Sequence, residues 1–303
     1  MKQLFINPDS RTIRAGWRIL IFMLIFAVIM VSLTLGARAM PGGLKGGGTL
    51  SYTLLAISAT LAAYISRKYI DKASLSSLGL RPDRAAALDI ISGLINSALV
   101  MSGIYFTMLF TGLIEFKGFS WWTDSTDINV RFSLAVAPIV LTVLWKFVLV
   151  AWHEELTFRG MILQNIIAGL GPLWAVVIST VLFGLAHVGN PDATVLTTLM
   201  IIVITLQLVY AYFKTGQLWL SMGLHLGWNF FQASIFGFSS SGQASPTMIT
   251  QNPAGPVWLS GGSFGAEGSI LVIPFTIGSL FLIHWWVRAT RPKDRKGFFD
   301  FLV

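Results

Sequence analysis

Three short motifs place ionisable and polar side chains inside apolar stretches of the chain. They are Glu154-Glu155 with Arg159, Phe183 with His187, and His225 with Asn229. Ionisable groups are costly inside an apolar segment and mark functional sites by default. A carboxylate in a low-dielectric pocket can take a proton from water, and imidazole or carboxamide groups can donate hydrogen bonds to an oxyanion. The residue types therefore predict hydrolysis by an activated water molecule.

Helical spacing separates these side chains into partners and candidates for chemistry. Glu155 and Arg159 are four residues apart on one helix face, which predicts an ion pair. Glu154 is turned about 100° from Glu155 and can face a cavity. His225 and Asn229 also share a face, so an imidazole and a carboxamide lie one turn apart. Glu154, His187, His225 and Asn229 are thus the candidate catalytic residues, with Glu155 and Arg159 supporting them.

A metal site is an alternative use of the same residues. Glu154, His187 and His225 could form a two-histidine, one-glutamate site for Zn with an open position for water. The residue types alone do not choose between metal-bound and glutamate-activated water. One geometric tension affects both hypotheses, since straight parallel helices would place His187 and His225 about 10 Å apart in depth. The absence of cysteine excludes thiolate ligands and thiol catalysis.

Structural interpretations compete with these functional ones. A single histidine in a membrane helix is more often a hydrogen-bond partner between helices than a catalyst. The Glu155–Arg159 pair could serve packing alone, and His153 could simply flank it. Two adjacent glutamates with two histidines on separate segments are harder to explain as packing. Other protease signatures fit poorly, because the second histidine of H-E-x-x-H and the G-x-G-D motif are both missing.

Composition predicts the elements that must position these groups. Hydrophobic residues make up 54% of the 303 residues and charged residues only 11%, against about 25% charged in soluble domains. Apolar runs long enough to cross a bilayer recur along the chain. We predict an all-α, polytopic membrane bundle forming a single domain over residues 1–303, with a catalytic core at 136–236. About eight spans are expected, at residues 17–36, 49–65, 87–114, 132–168, 173–187, 195–213, 218–236 and 269–287.

The distribution of basic residues predicts the orientation of the bundle. Lys and Arg number four in residues 1–18, five in 67–84 and five in 288–296. The alternate loops hold only Arg38, Lys45, Lys117 and Arg131. Because basic loops stay on the cytoplasmic side, both termini are predicted to be cytoplasmic. The net charge of +8 is explained in this way, so the lipid bilayer rather than nucleic acid is the expected partner.

At these residues the chain resembles the CPBP family of intramembrane proteases, also called the Abi or CAAX-protease family. The family pattern is E-E-x-x-x-R, then F-x-x-x-H, then H-x-x-x-N or D, on separate membrane helices. Here the pattern stands in the same order as Glu154-Glu155 to Arg159, Phe183 to His187, and His225 to Asn229. The resemblance covers roughly residues 136–236, and the segment 261–268 also looks like one seen in bacterial members.

The resemblance implies a role for each matching residue. Glu154 would activate water together with His187, while His225 and Asn229 would stabilise the oxyanion. Glu155 and Arg159 would support the site. The family is named for metalloproteases, although a glutamate mechanism without metal is also considered for it. Eukaryotic members remove the last three residues of prenylated proteins, whereas some bacterial members are linked to bacteriocin immunity or maturation.

The sequence therefore predicts an intramembrane endopeptidase, expected in a bacterial inner membrane, that acts on a peptide or protein substrate within or at the membrane. One rival is a transporter that uses the buried charges as a proton relay. Neither an inverted repeat nor a pair of broken helices is seen in the sequence, and those features would favour it. A second rival is a catalytically silent protein that binds a partner, as an immunity protein does.

Overall fold

The computed structural model describes residues 2–8, 11–40, 48–120 and 136–291. This part of the chain is mainly helical. We number its principal helices α1 (Ala15–Ala39), α2 (Thr49–Ile65), α3 (Arg84–Phe110), α4 (Val136–Glu155), α5 (Gln164–Leu170), α6 (Pro172–Leu185), α7 (Val195–Thr215), α8 (Trp219–Phe230) and α9 (Val272–Thr290). The predicted all-α class is confirmed. Predicted features that lie outside the described residues include Lys45, Arg131 and the basic tail from Lys293 onward.

Five helices in the described residues are long and apolar enough to cross a membrane. They are α1, α2 with its continuation to Ile70, α3, α7 and α9. The protein is thus an integral membrane protein, whereas the count of eight crossings and the cytoplasmic termini stay predictions. Helix α6 has only 14 residues, so its own length is short for a bilayer about 30 Å thick.

Three segments of π-helix interrupt or extend the α-helices. Leu156–Leu163 joins α4 to α5, so helix continues from Val136 to Leu170. The irregularity in this long helical stretch begins directly after Glu155. Gly171 then ends the helix with a positive φ of 80°, and Pro172 starts α6, as the sequence predicted. The other two π segments are Ser66–Ile70 and Phe231–Ile235.

A small antiparallel sheet pairs the segment after α3 with the segment between α8 and α9. Strand β1 (Ile114–Phe119) pairs with β2 (Ile249–Pro253), with Ile114 opposite Pro253. The third predicted span was drawn too long, because α3 ends at Phe110 and Gly112 turns the chain with a φ of 70°. The segment between the seventh and eighth predicted spans contains β2 and a short helical turn, Val257–Ser260.

Helices α3 and α8 pack unusually closely through small residues. A Cβ added at Gly93 would stand 2.5 Å from the backbone nitrogen of Leu224, and one added at Gly223 would stand 2.5 Å from the carbonyl oxygen of Ile90. Ser97 continues this face and donates a hydrogen bond to the Leu224 carbonyl, at 2.7 Å. Small residues allow such close backbone approach in membrane bundles. The opposite face of α8 is left to carry His225.

The loops predicted on the cytoplasmic side lie at one end of the bundle. The amide of Arg81 donates to Gln217 Oε1 at 3.2 Å, and Trp219 Nε1 donates to the Arg81 carbonyl at 2.8 Å. Asp71 also joins this end to the first helix, through Arg18 at 3.4 Å. The basic segments are therefore neighbours in space. This agrees with their having a common side.

Candidate active site

The site begins where α4 changes into the π segment. His153, Glu154 and Glu155 are the last three residues of α4, and Leu156 starts the π-helix. A π segment changes the angular spacing of neighbouring side chains, and such insertions often occur at functional sites. Because consecutive residues of an α-helix are about 100° apart, these two carboxylates and the imidazole leave the same turn in different directions.

Glu155 is enclosed and fully partnered. Its side chain is 0% exposed. Oε1 accepts a hydrogen bond from Arg159 at 2.9 Å and another from His225 Nδ1 at 2.8 Å, while Oε2 accepts from the Ser221 hydroxyl. Arg159 is equally buried and its guanidinium lies 4.4 Å from the centroid of the Phe183 ring. The predicted Glu155–Arg159 ion pair is confirmed, and its geometry suits a group that orients other side chains.

Glu154 has a different environment although it is the adjacent residue. Its side chain is 18% exposed and lines a cavity. Oε1 lies 3.8 Å from His153 Nε2 and Oε2 lies 3.6 Å from His225 Nε2. Oε2 is buried and has no hydrogen-bond partner among the described residues. The expectation that Glu154 faces a cavity is therefore confirmed, and this carboxylate retains capacity to bind a proton or a water molecule.

His225 stands between the two glutamates. Its Nδ1 faces Glu155 and its Nε2 faces Glu154, at the distances given above. A partner on one ring nitrogen fixes both the ring orientation and the protonation of that nitrogen. With Nδ1 donating to Glu155, Nε2 points toward the cavity. His225 itself is buried, with 7% exposure, so it is held rigidly in this position.

Two further histidines have their Nδ1 atoms bound to backbone carbonyls. His187 Nδ1 lies 2.8 Å from the Phe183 carbonyl, and His153 Nδ1 lies 2.9 Å from the Leu149 carbonyl. Because a carbonyl only accepts, Nδ1 must donate in both cases. In the neutral form of each ring the Nε2 atom then carries a lone pair, which is the state required of a base.

The Phe183 ring adjoins both His187 and His225. Its centroid lies 4.8 Å from the His187 ring and 6.0 Å from the His225 ring. Helix α6 ends at Leu185, so His187 lies in the turn that follows and not within a straight helix. Both imidazoles line the same cavity.

Asn229 is oriented by the loop that follows α8. The Ser240 hydroxyl donates to Asn229 Oδ1 at 3.3 Å, which leaves the Nδ2 group as the donor available to the cavity. The adjacent Ser241 donates through both its amide and its hydroxyl to Glu267 Oε1, the latter at 2.8 Å. The carboxylate of Glu267 thereby anchors the loop across the cavity.

The cavity has a volume of about 460 Å³, within the usual range for ligand sites. Its polar part contains all four candidate catalytic residues, together with His153 and Glu267. Its apolar part extends to α1 and α2 and is lined by Met23, Phe26, Leu55, Phe147 and Val150. A polar chamber connected to an apolar surface suits a substrate that is partly embedded in lipid.

Some residues at the site were not predicted. Ser221 had a visible signal, because it precedes His225 and Asn229 at helical spacing on the same face. Lys146 also had one, since it interrupts an apolar helix. His153 was noted only as a neighbour of the glutamates. Ser240 lies in a polar loop, and nothing in its spacing connects it with Asn229.

The predicted Zn site, with Glu154, His187 and His225 as ligands, stays a prediction. Within the described ranges, no group of three or more His, Asp or Glu side chains is placed so that it could hold a metal ion. We therefore assign no chemical step to a metal.

Fold and site together define a polytopic membrane protein with a polar, glutamate- and histidine-lined cavity among its helices. Residues 136–231 match the family model described as type II CAAX prenyl endopeptidase, Rce1-like. The match confirms the resemblance of this segment to the CPBP, or CAAX-protease, family. It lies within the 136–236 segment predicted as the catalytic core. No curated protein matches the chain.

Proposed function

We propose that the protein is an intramembrane endopeptidase that hydrolyses a peptide bond of a membrane-associated protein or peptide. The observation that carries this proposal is the contrast between the adjacent glutamates. Glu155 has every oxygen partnered, whereas Glu154 keeps a buried oxygen without a hydrogen-bond partner at the wall of a cavity. Burying a carboxylate oxygen without a hydrogen-bond partner costs free energy, and a role in hydrolysis accounts for such a group.

The first step assigns water activation to Glu154, with His187 assisting. Glu154 takes one proton from water while the water oxygen attacks the carbonyl carbon of the peptide bond. The carbonyl oxygen becomes an oxyanion, which accepts hydrogen bonds from Asn229 Nδ2 and from His225 protonated at Nε2. Glu154 then gives its proton to the leaving nitrogen as the C–N bond breaks. Donors arranged in advance around a developing charge stabilise it without reorganisation.

Glu155 acts as a positioning residue in this scheme. It holds His225 through Nδ1 at 2.8 Å, and a carboxylate on one ring nitrogen favours the protonated imidazole. Arg159 neutralises Glu155, and Ser221 occupies its second oxygen. The four groups form one buried network, so a change in any of them is expected to move His225.

The cellular setting and the route of the substrate are also part of the proposal. We place the protein in a bacterial inner membrane with both termini cytoplasmic, on the basis of its loop charges. Its substrate would reach the cavity from the lipid or from the membrane surface. The matching family is described as acting on prenyl proteins, and the apolar part of the cavity would accommodate a lipid-linked substrate.

The test compares purified wild type with Glu154→Gln on a pool of membrane proteins and peptides, with and without a chelator. Glutamine keeps the size of glutamate but cannot take the proton, so cleavage should fall by about 100- to 10,000-fold. Cleavage by wild type should survive chelation, because the side chains are not gathered around a metal position. Unchanged cleavage by the variant would remove Glu154 from the chemistry, and chelator sensitivity would reinstate the Zn alternative.

An absence of cleavage by folded wild type across the pool would contradict the endopeptidase proposal. The transporter and the partner-binding protein would then be the functions to test. Gel filtration of both proteins before the assay establishes that each is folded, so loss of cleavage is attributable to the substituted group.

A further inference from the structure

The glycine-rich segment 261–268 has no part in the mechanism above, although it reaches the cavity. It forms two short 3₁₀ turns between α8 and α9, Gly262–Phe264 and Ala266–Gly268. The second turn carries Glu267, whose side chain lines the cavity while the residue is only 5% exposed. A carboxylate buried in a membrane bundle is costly and is, by default, a functional group. We therefore asked what Glu267 holds in place.

Glu267 holds the loop at residues 239–243, here called the cavity loop. Its Oε1 accepts hydrogen bonds from the Ser241 amide and from the Ser241 hydroxyl, the latter at 2.8 Å. Ser241 has a φ of +48°, a left-handed conformation that residues other than glycine rarely adopt and that costs free energy. Such a conformation persists only where the surroundings enforce it. Here both donors of the strained residue bind one carboxylate oxygen.

Backbone contacts hold the cavity loop from two further sides. The Gly242 amide donates to the Phe264 carbonyl at 2.9 Å, and a Cβ added at Gly265 would collide with the Ser239 carbonyl oxygen. Gln232, on the π segment after α8, donates to the same Ser239 carbonyl at 2.7 Å. The cavity loop therefore follows a single backbone path while these contacts are intact.

Ser240 connects the cavity loop to the candidate oxyanion donor. It directly precedes Ser241, and its hydroxyl donates to Asn229 Oδ1 at 3.3 Å. Ser240 and Asn229 are each 7% exposed, so this contact is shielded from competing water. A carboxamide oxygen only accepts hydrogen bonds and its nitrogen only donates them. A donor placed at Oδ1 therefore directs Nδ2 toward the cavity, as an oxyanion requires.

We propose that Glu267 is a positioning residue that fixes the direction of the Asn229 carboxamide. It does so through the cavity loop, which it binds at Ser241 and which contacts Asn229 through Ser240. The inference rests on the proposed function, because Asn229 is assigned there as an oxyanion donor. A donor held in advance stabilises the oxyanion without reorganisation. Loss of the anchor should therefore slow the chemical step and leave substrate binding unchanged.

The first test is a double-mutant cycle, measured with a fluorogenic peptide built on a sequence that the wild type cleaves from the pool. Glu267→Leu should lower kcat by about 10- to 100-fold with KM unchanged, and Asn229→Ala should lower it by about 100- to 1,000-fold. Because both changes act on one donor, the double variant should be about as fast as Asn229→Ala alone. Glu267→Gln keeps an acceptor oxygen for Ser241 and should recover most of the rate.

Two further variants separate the anchor from its link to Asn229. Ser240→Ala removes the link and leaves Glu267 bound to Ser241, so kcat should fall by about 10-fold. Its loss should also disappear in the Asn229→Ala background. Glu115→Leu is the matched control, because it makes the same change at a carboxylate whose side chain is 60% exposed, and it should keep the wild-type kcat.

The second test follows the cavity loop without cleavage, by hydrogen–deuterium exchange and mass spectrometry of the full chain in nanodiscs. Glu267→Leu should speed exchange in the peptide that contains residues 239–243 by about 10-fold or more. Peptides from α8 should keep their wild-type rates, and so should the cavity loop in Glu115→Leu and Ser240→Ala. These variants test whether the anchor acts locally.

Three results would overturn the inference: additive losses in the cycle, a raised KM with kcat unchanged, or unchanged exchange in the cavity loop. Faster exchange throughout α8 would overturn it too, since Glu267 would then support folding and not the direction of Asn229. Failure of the proposed function has a different signature, namely no cleavage by wild type while Glu267→Leu still speeds exchange in the cavity loop.

Discussion

Two buried carboxylate clusters in this molecule look alike in residue type but differ in completeness. At one, Asp89 on α3 accepts hydrogen bonds from Trp286 Nε1 at 3.0 Å and from Arg291. Both oxygens are used, and Asp89 does not line the cavity. At the other, Glu155 is similarly satisfied by Arg159, but the neighbouring Glu154 is not.

The Asp89 cluster shows what a structural ion pair requires in this bundle. It joins α3 to the end of α9, and each oxygen of its carboxylate has a hydrogen-bond partner. The Glu154–Glu155 site contains an equivalent pair plus a second carboxylate close to two imidazoles, those of His153 and His225. A buried ion pair is present at both places. The additional carboxylate and its cavity distinguish the candidate reaction centre from the structural ion pair.

The largest expected effect on folding comes from breaking the pair behind the site. Arg159→Met leaves Glu155 buried without its counter-charge, and removing one partner of a buried ion pair costs about 3–5 kcal/mol. We expect a matching fall in the free energy of unfolding, measured by steric trapping in bicelles, and loss of cleavage in the protein that remains folded. Arg159→Lys, which keeps the charge but not the planar fork, should lose less. An unchanged stability for Arg159→Met would contradict the network.

Asp89→Asn should lose less stability than Arg159→Met and should keep its cleavage activity. The change weakens a charge-assisted contact to Arg291, whose side chain is 13% exposed, so about 1–3 kcal/mol of stability should be lost. Cleavage per folded molecule should stay at the wild-type level, because this cluster is separate from the cavity. If cleavage per folded molecule fell below the wild-type level, the two clusters would be coupled.

The close contact of α3 with α8 gives a third, smaller effect. Gly223→Ala forces a Cβ to 2.5 Å from the Ile90 carbonyl oxygen, and overpacking of this kind costs about 1–3 kcal/mol. Helix propensity offsets up to about 1 kcal/mol of that cost. Gly278→Ala on α9 is the control, since nothing lies within 4 Å of its added Cβ. We expect a lower midpoint of thermal unfolding for Gly223→Ala only; equal midpoints would argue against the close packing.

Much of the helical framework follows from the apolar runs. The second predicted span, 49–65, coincides with α2, and the sixth, 195–213, is α7 to within two residues. The Glu155–Arg159 pair was predictable because partners four residues apart on a helix meet whatever the fold. These features depend on local spacing, which the sequence contains directly.

Contacts between distant segments could not be predicted in the same way. The bond of His225 to Glu155 depends on how α8 packs against α4, and β1 pairs with a strand far along the chain. The π segment that begins after Glu155 has no local sequence signal. Lys146 was overlooked because a single lysine in an apolar run attracts attention only when its surroundings are known.

The most direct test measures activity and stability together in Glu154→Gln and Asp89→Asn. The account predicts a crossed result: Glu154→Gln loses cleavage by about 100-fold or more with its unfolding midpoint retained, whereas Asp89→Asn loses stability and keeps its cleavage per folded molecule. If both variants instead lose activity only as far as they lose folded protein, Glu154 is a packing residue. The proposed reaction centre would then be wrong.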